Sequence, residues 1–363
     1  MRVGVWCAYH AAMTKRITVI PGDDAAPEAV ACALRVLRAM ELDIEYDVLP
    51  PGVEGVERYG EGFIDVCRAS VDASDTTLFG AHNGTTPAIN HLRWGRRTFA
   101  NVRPVRYFPG MKSPLLDPEG IDFVIIRENL EDLLSGVEGD LEMLAPHGFR
   151  SAYTGEPLPA EGRFALKVIT EANSRRVIEF AFRLARQRRE RGSPGRVTLA
   201  CKHNRLPYAD GLFREVGAAV AAEHPDIEYR DYLIDDFARR IVAEPQELDV
   251  VVLPNLYGDI LSDEAAGLVG GLGVAPSGCF GEDFAYFEPV HGTAPDIAGR
   301  GIINPTATLL SAAMMLDHLE MADEARHLEG AVRAVYADGR SLTPDQGGSA
   351  TSDEITGAII GAL

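Results

Sequence analysis

An α/β fold built on a mostly parallel sheet is the fold class this chain predicts, and three observations carry the prediction. Short apolar runs that read as buried strands (residues 123–129, 197–201 and 250–253) alternate with segments of helical period. Those runs end in clusters of Gly, Pro, Asn and charged residues, where chain direction changes. The 363 residues carry 46% hydrophobic side chains spread along the whole length, enough for two domains or one large α/β body.

Composition removes several functions. A formal charge of −19 argues against a nucleic-acid or anionic-membrane partner, since either demands a basic surface. Cys7, Cys32, Cys67, Cys201 and Cys279 are scattered and lack CxxC spacing, which fits a reducing compartment and neither a disulfide framework nor a zinc site. No apolar run approaches the roughly 18 residues that span a bilayer, and the N-terminus makes a poor signal peptide. The expectation is a cytoplasmic protein without a membrane partner, whose translation starts at Met1 or at Met13.

The chain opens with a βα unit: residues 16–20 as strand, a turn at 21–24, and a helix from about Pro27 with Val30, Ala33, Leu34 and Leu37 on its inner stripe. A second short strand, 76–81, runs into the hydroxyl-rich loop 83–87. Four arginines (Arg93, Arg96, Arg97 and Arg103) then fall within eleven residues of an acidic protein. They read either as a solvated basic helix face or as a clamp for a di- or tricarboxylate, because guanidinium forks match carboxylates bidentately. Arg127 ends the strand 123–129, where open α/β sheets place ligands. Residues 135–165 are Gly- and Pro-rich and read as a surface arm or subunit contact, and a helix of about fifteen residues follows over 172–186.

The strand 197–201 delivers Lys202-His203-Asn204, and residues 231–236 place acids where a strand meets a helix. Lys202 is one of only four lysines, with Lys15, Lys112 and Lys167. After the break at Pro254-Asn255, a helical segment carries Asp259 and Asp263, one turn apart on one face. Two hard oxygen donors so spaced suit Mg²⁺ or Mn²⁺ better than Zn²⁺; a solvated acidic face is the alternative. The stretch 270–278 imitates a Rossmann fingerprint but follows a helix and has Pro276 in place of the third glycine. A second Gly- and Pro-rich loop spans 288–299, and the last clear helix is expected over 304–319.

Taken in order, LRWGRRTFANVRP, IIRENLEDL, CKHN, NLYGDILSDEAAGLVGGLGVAPSG and EPVHGTAPDIAGRGIINPTATLLSAAMML resemble the β-decarboxylating dehydrogenases: the isocitrate, homoisocitrate, 3-isopropylmalate and tartrate/D-malate dehydrogenases. The resemblance runs from Lys15 to the C-terminus. It implies a two-domain, non-Rossmann fold with residues 1–110 and 270–363 forming the cofactor domain. Residues 111–269 would form the substrate, metal and dimerisation domain, and the active site would lie in the interdomain cleft of a homodimer. By the same resemblance Arg93, Arg103 and Arg127 hold the malate carboxylates of a small di- or tricarboxylate, with Asn90 and Asn204 also at the substrate. Asp259 and Asp263 bind Mg or Mn together with Asp235 of the neighbouring subunit. Lys202, also from the neighbour, is the base at the 2-hydroxyl, and Asp235 shares its catalytic setting.

Glu288, His291, Gly292, Thr293, Ala294, Asp296, Ile297 and Asn304 match the cofactor site, and an acid at Asp296 suits the free 2′-hydroxyl of NAD. The implied reaction is NAD-dependent oxidative decarboxylation of a 3-substituted malate. Three departures stand out. Leu134 replaces the tyrosine taken as proton donor, the opening loop reads GDDAAPE where the family has GDGIGPE, and Pro87, Ile89 and Asn90 replace the residues that mark known substrates. Oxidation of a malate- or tartrate-like diacid without obligatory CO₂ loss, or a non-catalytic regulatory homologue, are the alternatives these departures raise.

Overall fold

The computed structural model describes residues 14–363; Cys7 and the alternative start at Met13 lie outside the described residues. In chain order the strands are β1 (Lys15–Ile20), β2 (Ile44–Val48), β3 (Thr76–Phe79), β4 (Ala100–Arg106), β5 (Asp122–Glu128), β6 (Glu138–Asp140), β7 (Arg163–Ala165), β8 (Arg196–Cys201), β9 (Glu228–Leu233), β10 (Val250–Leu253), β11 (Pro276–Phe280) and β12 (Ala285–Pro289). Ten of them form one sheet in the order β2-β1-β3-β12-β11-β4-β5-β10-β8-β9, and β6 pairs with β7 alone.

The large sheet is mostly parallel, as expected, with six parallel pairings. Its centre is not: β12-β11-β4-β5 is a run of three antiparallel pairings. The strands β5, β8 and β10 read as near-continuous apolar runs because helices cover both of their faces. Val250, Val251, Val252 and Leu253 are all 0% exposed.

One hydrophobic cluster joins β1 and the helix Ala26–Ala39 to residues near the other chain end, Leu309, Leu316, Leu328, Val332 and Ile355 among them. Another gathers β5, β8 and β10 against Val177, Ala181 and Phe182 of the helix Glu171–Glu190. That helix starts where the Thr170 hydroxyl accepts the Asn173 N–H.

Two expectations need correction. The helix placed at 304–319 is Thr306–His318, and it is not the last, because Ala322–Asp338 and Ser352–Ile360 follow. The stretch around the four arginines is not a helix face: it is a short π-helical turn, His91–Gly95, running into β4. The Gly- and Pro-rich arm holds the β6–β7 ribbon and several single 3₁₀ turns. No helix among the described residues is long and apolar enough to cross a membrane.

Ile126, fully buried in β5, packs in the cluster beside Val252 and Phe182. Ile126→Ala is expected to lower unfolding free energy by about 2–5 kcal/mol through the cavity it leaves, read as a lower urea midpoint at unchanged m-value.

Candidate active site

Strand register brings the arginines to one face. Asn101 lies opposite Arg127 across the β4–β5 pair, and Arg103 is two residues along from Asn101, so all three side chains leave the sheet on the same side. The helix Asn255–Leu268 crosses that side. It approaches so closely that a Cβ on Gly258 would meet the Arg127 Cβ at 2.7 Å and its Cα at 3.0 Å. Glycine there lets the Arg127 stem lie flat under the helix.

The helix carries the carboxylates over the guanidiniums. Arg103 Nη1 stands 3.4 Å from both Asp259 Oδ1 and Asp263 Oδ1 and donates to the Ser262 hydroxyl at 2.7 Å. Arg127 pairs with Asp259, and its Nε donates to Asn255 Oδ1 at 2.8 Å. Burial, reinforced by the like charge of Arg103, pushes the Arg127 guanidinium down to about 10, which leaves it charged at neutral pH. Burial also raises the Asp263 carboxyl; Arg103 opposes this shift and the neighbouring Asp259 adds to it. The side chains of Asp259 and Asp263 remain 42% and 49% exposed. Two accessible oxygen donors one turn apart fit a hard divalent cation, whose charge would free the arginines for an anionic ligand.

Arg93 reaches the same region from the π-helical turn. Its Nε is buried without a hydrogen-bond partner, and its guanidinium lies over the Trp94 ring at 5.4 Å. Burial works against its charge, but Tyr286, Glu288 and Cys279 more than offset it and hold its pKa above the ordinary value. Arg96 and Arg97 do not join the cluster. Arg96 bonds Asp72 at 3.3 Å and stacks on Phe284, and Arg97 is exposed.

Lys202 and Asp235 form a second, separate pair. Lys202 Nζ donates to Asp235 Oδ1 at 2.7 Å, and this bond lowers the Asp235 pKa. Among the described residues of one chain, no three His, Cys, Asp or Glu side chains converge on a metal position. Asp235 therefore does not join Asp259 and Asp263 within a chain. Asn90 and Asn204 are exposed.

The loop after β12 closes against the opening loop. Ala25 N–H donates to the Thr293 carbonyl at 3.0 Å, and Glu28 accepts from the Gly301 N–H at 2.9 Å. Asp24 stands at φ 53°, a left-handed conformation that suits glycine. His291 Nδ1 bonds the Gly292 carbonyl at 2.8 Å, while its Nε2 is buried without a partner. Nothing lies within 4 Å of a Cβ built on Gly292. Open backbone beside an unpaired imidazole nitrogen fits a dinucleotide cofactor. Asp296 and Gly292 are exposed, Ala294 and Ile297 half-buried, and Thr293 buried. Asn304 is committed inward, donating to Tyr336 Oη at 3.1 Å and Asp345 Oδ2 at 2.9 Å.

Sequence reasoning missed a buried group behind the site. Lys167 Nζ lies 2.7 Å from Asp210 Oδ1 and 3.3 Å from Asp132 Oδ1, and both aspartates are 0% exposed. Asp132 holds φ 73°, ψ −150°, a backbone region costing of order 1–3 kcal/mol outside glycine. Lys167 is one of only four lysines, and that scarcity was the available signal.

The arginine–carboxylate cluster and the open glycine-rich loop can take a small anionic ligand and a dinucleotide. A family model described as isocitrate/isopropylmalate dehydrogenase matches residues 16–359, and the chain belongs to that family. It is 42% identical over 342 residues to a 3-isopropylmalate/3-methylmalate dehydrogenase of Methanocaldococcus jannaschii, covering 94% of this chain and 96% of the relative. It is 40% identical to an isocitrate/homoisocitrate dehydrogenase of Thermus thermophilus, covering 97% and 99%. The crystal structure of isocitrate dehydrogenase from Methylococcus capsulatus superposes with a TM-score of 0.81 at 37% identity, over 96% of this chain and 99% of that one.

Glu128, 1% exposed at the end of β5, supplies a pH prediction. Burial pushes its carboxyl up to about 7, although the Leu130 and Glu131 N–H groups pull it down. The folded protein therefore holds a proton that the unfolded chain releases near the ordinary carboxylate pKa. Stability is full below that value and falls as pH rises toward 7, by about 3 kcal/mol at most. Urea midpoints from pH 4.5 to 8 should decline for the wild type, and Glu128→Gln should flatten that decline.

Proposed function

We propose that the protein is an NAD- and Mg²⁺/Mn²⁺-dependent dehydrogenase that oxidatively decarboxylates a 3-substituted malate. The observation that carries this reading is the meeting of Arg103 and Arg127 with Asp259 and Asp263 on one face of the sheet. Arg93, Arg103 and Arg127 would hold the substrate carboxylates. Asp259 and Asp263 would hold the cation, joined by Asp235 of a second copy, since Asp235 stands apart from them within one chain. When bound there, the cation would supply Lewis acidity toward the substrate's 2-hydroxyl. A nicotinamide cofactor held at the loop after β12, by His291, Gly292 and Asp296, would supply the acceptor for the C2 hydride.

Lys202, delivered by the second copy, would take the hydroxyl proton. Loss of that proton and of hydride leaves a β-keto acid, from which CO₂ departs as the C3 carbanion equivalent is protonated. Leu134, half-buried in the turn Leu133–Ser135, has no proton to give, so water or another side chain would deliver it. The two-body arrangement, with residues 1–110 and 270–363 on one side of a cleft and 111–269 on the other, is part of this reading.

A panel of 3-substituted malates with NAD and Mn²⁺, scored for NADH and CO₂ together, tests it. Equal yields on one substrate are expected. NADH without CO₂ would make the reaction a simple oxidation, the second reading that Leu134 motivates, and silence on every substrate would favour a non-catalytic homologue. Asp259→Asn should lower kcat/KM at least 100-fold and weaken Mn²⁺ binding by calorimetry.

Coenzyme choice rests on Asp296, an exposed acid in the turn Pro295–Ile297. It would accept a hydrogen bond from a 2′-hydroxyl and repel a 2′-phosphate. Asp296→Lys should shift the NAD/NADP ratio of kcat/KM toward NADP by tenfold or more, and an unchanged ratio would remove Asp296 from the selection.

A further inference from the structure

We infer that Lys167 is a positioning residue that ties the Lys202 strand end to the first turn of the Asp259/Asp263 helix. The tie is a chain of short polar contacts through two buried carboxylates. Asp210 Oδ2 accepts the Lys202 N–H at 2.6 Å, and Asp210 Oδ1 meets Lys167 Nζ at 2.7 Å. On its other side Lys167 meets Asp132 Oδ1 at 3.3 Å, and Asp132 Oδ2 accepts the Leu256 N–H at 3.0 Å. Leu256 is the second residue of the helix Asn255–Leu268. The cation also lies over the Tyr257 ring at 4.3 Å, one residue further on.

Burial works against the Lys167 charge, but its close contact with Asp210 and the charges of Asp132 and Asp210 more than offset this, so the bridge is an ammonium. No other cation of the described residues pairs with Asp132 or Asp210. Without Lys167 the two carboxylates would face buried surroundings uncompensated, and each would swing toward whatever solvent it could reach. The N–H groups they hold would go with them. One would shift the backbone that aims Lys202 at Asp235, and the other the start of the helix that aims Asp259 and Asp263. The strained backbone at Asp132 fits this role, because such conformations persist only where surroundings over-determine them.

The catalytic half of this inference rests on the proposed function, and the mechanical half does not. The informative variant is Lys167→Met/Asp132→Asn, which keeps the net charge of the cluster and an acceptor for the Leu256 N–H while removing the bridge. Amide hydrogen exchange should quicken at least tenfold at Lys202 and Leu256 and stay unchanged in β5 and β10. With the best malate of the panel, kcat should fall at least tenfold and the acid limb of its pH profile should move by half a unit or more. KM should stay within threefold, since the arginines are untouched, and Lys167→Arg should recover part of kcat.

Unchanged exchange at Lys202 and Leu256 would overturn the tie. A lower melting temperature with kcat and pH profile intact would reduce Lys167 to a structural cation and overturn the positioning role. A wild-type enzyme silent on every malate would defeat the functional reading and the catalytic half together, and the exchange data would still decide the mechanical half.

Discussion

Two guanidiniums cannot be buried side by side at the end of a strand unless carboxylates meet them, and the centre of this molecule answers that constraint. Arg103 and Arg127 leave adjacent strands on one face. The helix Asn255–Leu268 must come down over them, and it can do so only because Gly258 offers no side chain to the Arg127 stem. Once seated, it delivers Asp259 and Asp263 to the cations. Fold and chemistry share a single arrangement here: the contacts that make the buried arginines tolerable are those a divalent cation and a dianionic substrate would jointly replace.

The same logic recurs one layer behind. Lys167 stands to Asp132 and Asp210 as the arginines stand to the helix acids. The outer cluster is half exposed and exchangeable, and the inner one is sealed. A site whose accessible charges must rearrange for each ligand benefits from a rigid charge pair at its back.

Much of this was legible in the sequence, and the failures have physical causes. The strands β5, β8 and β10 announce themselves because both faces are buried and each holds a mostly apolar run. The strands β4, β11 and β12 carry Pro, Gly, Arg and Glu, and their pairing in the sheet centre is imposed by neighbours distant in sequence. The helix Ala322–Asp338 has a clear stripe in Ala325, Leu328, Val332 and Val335, but its many charges masked it. That Asp259 and Asp263 share one helix face was readable from their spacing. The Lys202–Asp235 contact and the Lys167 bridge were not, since each joins residues more than thirty positions apart, where periodicity carries no information.

The order of strands sets a timetable for the growing chain. The segment β5-β10-β8-β9 comes from residues 122–253 and can pair as soon as it has emerged. At the other side, β3 must wait for β12, which ends at Pro289, before its free edge is covered. Until then a nascent chain of nearly 290 residues displays β3 as an open parallel edge, able to template a wrong partner. Synthesis halted shortly before β12 would release a half-finished sheet, so the last fifth of the polypeptide serves as the fastener for what was made first.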